Sequence, residues 1–138
     1  MKNFLPLLAL CVAGAALSAD EASVVLKVHK QSGINFVSGG VGEEGRKAMS
    51  TVAPRYPIQL IFNVQGEPDV SGVKVTIKDL NGDKLIEAVS EGPYFFLSPV
   101  GGRYTFEAEY KGQKESKTKD AVGRRYLVLE FAFSSVKN

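Results

Sequence analysis

Alternation with a period of two runs through most of this chain and leaves little choice of fold. In residues 57–64, PIQLIFNV, one side carries Ile58, Leu60, Phe62 and Val64. In residues 103–110, RYTFEAEY, Tyr104, Phe106, Ala108 and Tyr110 share one side and the charges take the other. Successive side chains of a strand point to opposite faces, so each such stretch is a strand with one face to bury. Residues 23–29, SVVLKVH, turn Val24, Leu26 and Val28 inward and Lys27 and His29 outward. Residues 34–37 form a short second strand, and residues 73–78 alternate cleanly into Asn81-Gly82. That dipeptide suits a tight hairpin turn in which both central residues take positive φ, with residues 84–90 returning antiparallel. An apolar run over 93–97 is a further strand, and Lys111-Gly112 turns the chain into residues 113–119, whose lysines suit an exposed edge. Residues 125–133 carry Leu127, Leu129, Phe131 and Phe133 on one face and Tyr126, Val128 and Ala132 on the other, which predicts a central position covered on both faces.

One stretch has helical spacing instead. Across residues 41–53, Val41, Ala48, Met49 and Val52 fall on one side, Glu43 and Glu44 suit the positive end of the helix dipole, and Pro54 supplies the stop. A helix this short needs support, so its Met49 side is expected to pack on a sheet, although Gly45 weakens it by about 1 kcal/mol relative to alanine. Seven or so short strands with one helix predict a mainly β fold, an antiparallel β-sandwich of about seven strands.

The opening nineteen residues differ from the rest. MKNFLPLLALCVAGAALSA has a positive charge at Lys2, an apolar stretch from Phe4 and small residues before Asp20-Glu21, the three-part pattern of a cleavable export signal. The expected organisation is a signal peptide over 1–19 and one domain over 20–138, with cleavage after Ala19 preferred and cuts near Ala16 or Ser18 as alternatives. Leu10 precedes Cys11 and the apolar stretch continues past it, so Cys11 reads as part of the signal and not as a lipidation site. A chain cut there retains no cysteine, and its core holds together without disulfides. The formal net charge of +2 falls to +1 without Lys2, and the signs are interspersed, which gives no electrostatic footprint for nucleic acid. No later stretch is long and apolar enough for a membrane anchor.

Residues 73–110, VKVTIKDLNGDKLIEAVSEGPYFFLSPVGGRYTFEAEY, resemble the core of carboxypeptidase regulatory-like domains, which share a transthyretin-like (prealbumin-like) β-sandwich. The resemblance lies in a hairpin strand of the form V.V.I.D..G and in the succession Gly102, Tyr104, Phe106, Ala108, Tyr110 and Gly112. The preceding GINFVSGGVGEEGRKAM is similar to the leading segment of small uncharacterised exported proteins of Gram-negative bacteria. The resemblance implies a periplasmic home and brings no catalytic residue with it. Relatives of transthyretin that hydrolyse 5-hydroxyisourate end in a distinctive tyrosine-containing tetrapeptide, whereas this chain ends Ser-Val-Lys-Asn.

Catalytic patterns fail residue by residue. His29 is the single histidine and Cys11 the single cysteine, so paired imidazoles and histidine-rich zinc sites have no ligands. A serine nucleophile has neither its Gly-x-Ser-x-Gly elbow nor a base. Glu43 and Glu44 are adjacent on a helix and do not face each other across a cleft. Ser38-Gly39-Gly40-Val41-Gly42 lacks the Gly-Lys-Ser/Thr of a phosphate loop, and Asp79, Asn81 and Asp83 read as a hairpin turn rather than a fragment of a calcium loop. Lys27, of the type that closes isopeptide bonds in some sandwiches, has no suitable partner.

The expectation is therefore a non-enzymatic periplasmic binding or accessory module without a cofactor, monomeric or weakly dimeric. Its partner would be a protein or envelope component, met through Tyr94, Phe95, Lys114 and Lys117. Alternatives are a small-ligand carrier or enzyme with a cavity between helix and sheet, and a structural unit that assembles through an edge strand.

Overall fold

A computed structural model describes residues 25–99, 101–121 and 126–135. The expected signal peptide, with Cys11 and the cleavage site, lies outside the described residues. The described chain runs β1 (His29–Gln31), β2 (Ile34–Gly39), α1 (Gly42–Val52), a 3₁₀ turn (Ala53–Arg55), β3 (Ile58–Val64), β4 (Lys74–Lys78), β5 (Lys84–Val89), β6 (Tyr94–Ser98), β7 (Arg103–Tyr110), β8 (Gln113–Asp120) and β9 (Leu127–Phe133). These nine strands form two sheets, one ordered β1-β2-β6-β3-β9 and the other β5-β4-β7-β8. The mainly β sandwich with one short helix is as expected, with two more strands than anticipated.

The inward residues of both sheets build the core. Ile58, Leu60, Phe62 and Val64 of β3 meet Val75 and Ile77 of β4 and Phe106 and Ala108 of β7, all buried. Full burial of side chains this size contributes about 1.5–3 kcal/mol each, which is where most of the stability of a disulfide-free core resides. A second, smaller cluster lies on the outer face of the five-stranded sheet, where Met49 of α1 closes over Val37, Tyr56 and Phe96. The expected docking of the Met49 side is thus observed.

Gly45 does more than weaken this helix. A Cβ there would stand 3.2 Å from the backbone carbon of Gly40, so glycine lets α1 lie close against the end of β2.

Several local expectations are corrected. The β4–β5 hairpin forms, but Asn81 stays at negative φ and Gly82 alone of the pair is positive, at 87°. The loop closes through Asp79: its backbone amide donates to the carbonyl of Asp83 at 3.0 Å, and its carboxylate accepts the amides of Asn81 and Asp83 at 2.9 and 3.0 Å. One carboxylate thereby does what a second positive-φ residue would have done. The first strand is three residues long rather than spanning 23–29, and His29 is not outward: it stacks on Phe36 at 5.3 Å, facing the other sheet. Leu26 consequently turns to the helix side, within reach of Gly39 and the Met49 cluster.

The last strand is corrected most. β9 pairs parallel with β3, Ile58 opposite Leu127 through Val64 opposite Phe133, and stands at the sheet edge instead of its centre. Its inward face is buried as expected, but Val128 on the opposite face is 51% exposed, because α1 covers β2 and β6 and stops short of β9.

Candidate functional site

The four residues expected to share a surface do not. Tyr94 and Phe96 of β6 face the helix side, whereas Phe95 and Leu97 face the opposite sheet. Phe95 is buried and stacks on Phe36 at 5.2 Å, so it is a core residue and not a contact patch. β6 is central and covered on both faces, which is why its whole apolar run goes inside. Lys114 and Lys117 stand three apart on β8 and point to opposite faces. Lys114 stands with Lys74 and Glu109 on the outer side of the four-stranded sheet, while Lys117 reaches between the sheets, its Nζ 5.4 Å from the centre of the Phe131 ring. Of the four, Tyr94 alone lines the concavity beside α1.

That concavity is a groove of 390 Å³ beside α1, lined by Arg46, Ile61, Asn63, Glu67, Pro68, Pro93 and Tyr94 among others. Its floor follows from the strand period: Ile61 and Asn63 are the β3 side chains turned away from the core. One wall is α1 and the other is the turn over residues 65–69, which two side chains fasten in place. Val41, at the helix N-cap position, makes no side-chain capping bond. Asp69 replaces it from across the groove, accepting the Gly42 amide at 2.9 Å and pairing with Arg46 at 3.2 Å. A carboxylate at this end also complements the helix dipole. On the far side of the turn, the Tyr110 hydroxyl donates to Glu67 Oε1 at 2.9 Å. The groove is therefore a braced structure, with the Arg46 guanidinium and Asn63 amide as donors, Asn63 and Glu67 as acceptors, and Ile61, the prolines and Tyr94 as apolar contact.

Met49 is fully buried where helix and sheet meet, and the open space beside it, among the described residues, is the groove along the helix flank. No histidine, cysteine or serine among the described residues lines the groove. Among the described residues, no three His, Cys, Asp or Glu side chains converge as metal ligands, and no helix is long and apolar enough to cross a membrane.

The outer face of the four-stranded sheet is a second surface of different character, a tray of alternating charge around a 160 Å³ hollow. Lys78 pairs with Glu107 at 3.1 Å and Lys84 with Glu87 at 2.9 Å. The hydrogen bond and then the charge of Lys84 hold the Glu87 carboxyl below the usual glutamate range, and the same contacts raise the Lys84 ammonium. Cations and anions neutralise one another here, so the lysines do not form a basic patch. No protein-family model and no curated protein matches this chain.

Proposed function

We propose that this chain is an exported, non-enzymatic β-sandwich module of the periplasm that binds a protein or envelope component in the groove between α1 and the 65–69 turn. The observation that carries the reading is the fastening of that turn on both sides, by Asp69 to α1 and by Glu67 to Tyr110. A turn held this way keeps a floor of Ile61 and Asn63 open between Arg46 and Glu67, apolar contact beside a few placed polar groups, which is the composition of a recognition site. Export rests on the pattern of residues 1–19. Kinship with carboxypeptidase regulatory-like domains rests on the motif strands, which fall on β4 and β7, hydrogen-bonded neighbours.

A photo-crosslinking residue at Asn63 tests the reading, with one at Ser116 on the other sheet as control. The expected result, by mass spectrometry from intact cells, is an adduct specific to position 63 that disappears when Arg46→Glu is added. Equal adducts at both positions, or none at 63, would refute it.

A further inference from the structure

We infer that the five-stranded sheet continues from one copy of this chain into the next, β9 of one pairing antiparallel with β1 of its neighbour in a head-to-tail row. The inference stands apart from partner binding in the groove and uses other residues.

Strand order and direction supply the geometry. β1 and β9 are the two edges of the same sheet. β1 runs antiparallel to β2, β2 to β6 and β6 to β3, and β3 runs parallel to β9. β1 and β9 therefore run in opposite directions, so copies set side by side in one orientation bring them together as an antiparallel pair with the faces of the sheet continuous.

Side chains supply the register. His29 and Gln31 face the other sheet, His29 against Phe36 and Gln31 bonding the Glu87 backbone at 3.0 and 3.1 Å, so Lys30 lies on the helix side. Glu130 lies on that same side of β9, between Val128 and Ala132. Both charges are exposed, and among the described residues neither has an ion-pair partner. Setting Lys30 opposite Glu130 also sets Val28, 57% exposed, opposite Ala132, and His29 opposite Phe131, so at these three positions side chains of matching face and character meet.

A second copy is the occupant because the other edges are blunted. β8 carries a run of charged residues, and the Gln31 amide occupies the β5 backbone at Glu87. β9 paired with itself about its midpoint would set Glu130 against Glu130, which like charges disfavour. The three residues of β1 with Val28 before them bury well below the about 1,200 Å² of a durable interface, so the row forms at high local concentration.

Disulfide trapping tests this. Val28→Cys and Ala132→Cys are made as separate proteins in a Cys11→Ser background and oxidised alone and mixed. The expected product is a heterodimer, in the mixture only, whose bond joins positions 28 and 132; the double variant gives a ladder. Ala132→Cys dimerising alone as readily as the mixture, or a mixture no more crosslinked than its components, would overturn the inference. In sedimentation at high concentration, Lys30→Glu and Glu130→Lys should each weaken self-association by about fivefold to tenfold, and their mixture should recover it. Association unchanged by either substitution would overturn the inference as well.

Discussion

Replacing Met49 with alanine isolates the contact that holds α1 on the sandwich. Gly45 and Met49 are the only buried residues of the helix, and Gly45 contributes no side chain. The helix has eleven residues, two of them glycine, too few to persist unsupported in water. The substitution deletes the three outermost side-chain atoms from a fully buried site among Val37, Tyr56 and Phe96. Loss of transfer free energy plus the cavity left behind amounts to about 3 kcal/mol, within the range for buried methionine. In a domain of this size that lowers Tm by about 10–15 °C. Because the Met49 cluster lies outside the inter-sheet core, the loss should be local as well as global. Hydrogen exchange should accelerate across α1 while the amides of β4 and β7 keep most of their protection. Met49→Leu, nearly volume-conserving, should cost less than about 1.5 kcal/mol. Urea unfolding followed by circular dichroism, with residue-resolved exchange, reads both quantities. A loss below about 1 kcal/mol, or equal acceleration in both sheets, would refute the reasoning.

Gly92→Ala should destabilise strongly, because a Cβ there collides with the Gly39 carbonyl; thermal melts should show a loss larger than for Gly112→Ala, where nothing lies within 4 Å. Phe95→Ala should cost about 3–5 kcal/mol in urea unfolding, a core value that a surface role would not produce. Tyr110→Phe should cost about 1 kcal/mol and loosen the 65–69 turn, read as faster exchange at the Glu67 amide, which bonds Val64 at 2.9 Å. The Glu87 carboxyl titrates below the ordinary glutamate range, so its small contribution is complete above the unfolded-state pKa and disappears as pH falls through the folded one; Lys84→Ala should return the NMR titration midpoint to the ordinary range.

Much of the fold was legible because a period of two is local. β3, β4 and β7 follow from their alternation, α1 from the spacing of Met49 and Val52, and the edge position of β8 from its lysines. What a strand lies beside is not local. β9 has apolar residues on both faces, and central placement was the natural reading; Glu130, set among the outward residues, was the one sign of an open face. The uninterrupted run of β6 carried the opposite sign, and it assigns Phe95 to the interior once its centrality is recognised. Lys114 and Lys117 were separable from sequence alone, since an odd spacing on a strand divides two side chains between faces. The groove was not legible: Tyr94 hinted at it, but Arg46, Asn63 and Glu67 come from three elements brought together only by the crossing of α1 over the sheet. Asp69, a turn residue in sequence, becomes a helix cap only in three dimensions.

The position of β9 decides where the sheet ends, how far α1 reaches across it and which surface remains open. Hydrogen exchange of the dilute protein, resolved by residue across Leu127–Phe133, tests it most directly. A strand paired on one side alone directs every other amide to its neighbour, so protection should alternate along β9 while β6 is protected throughout. Uniform protection along β9 would mean that a strand lies on each side of it, contradicting this placement.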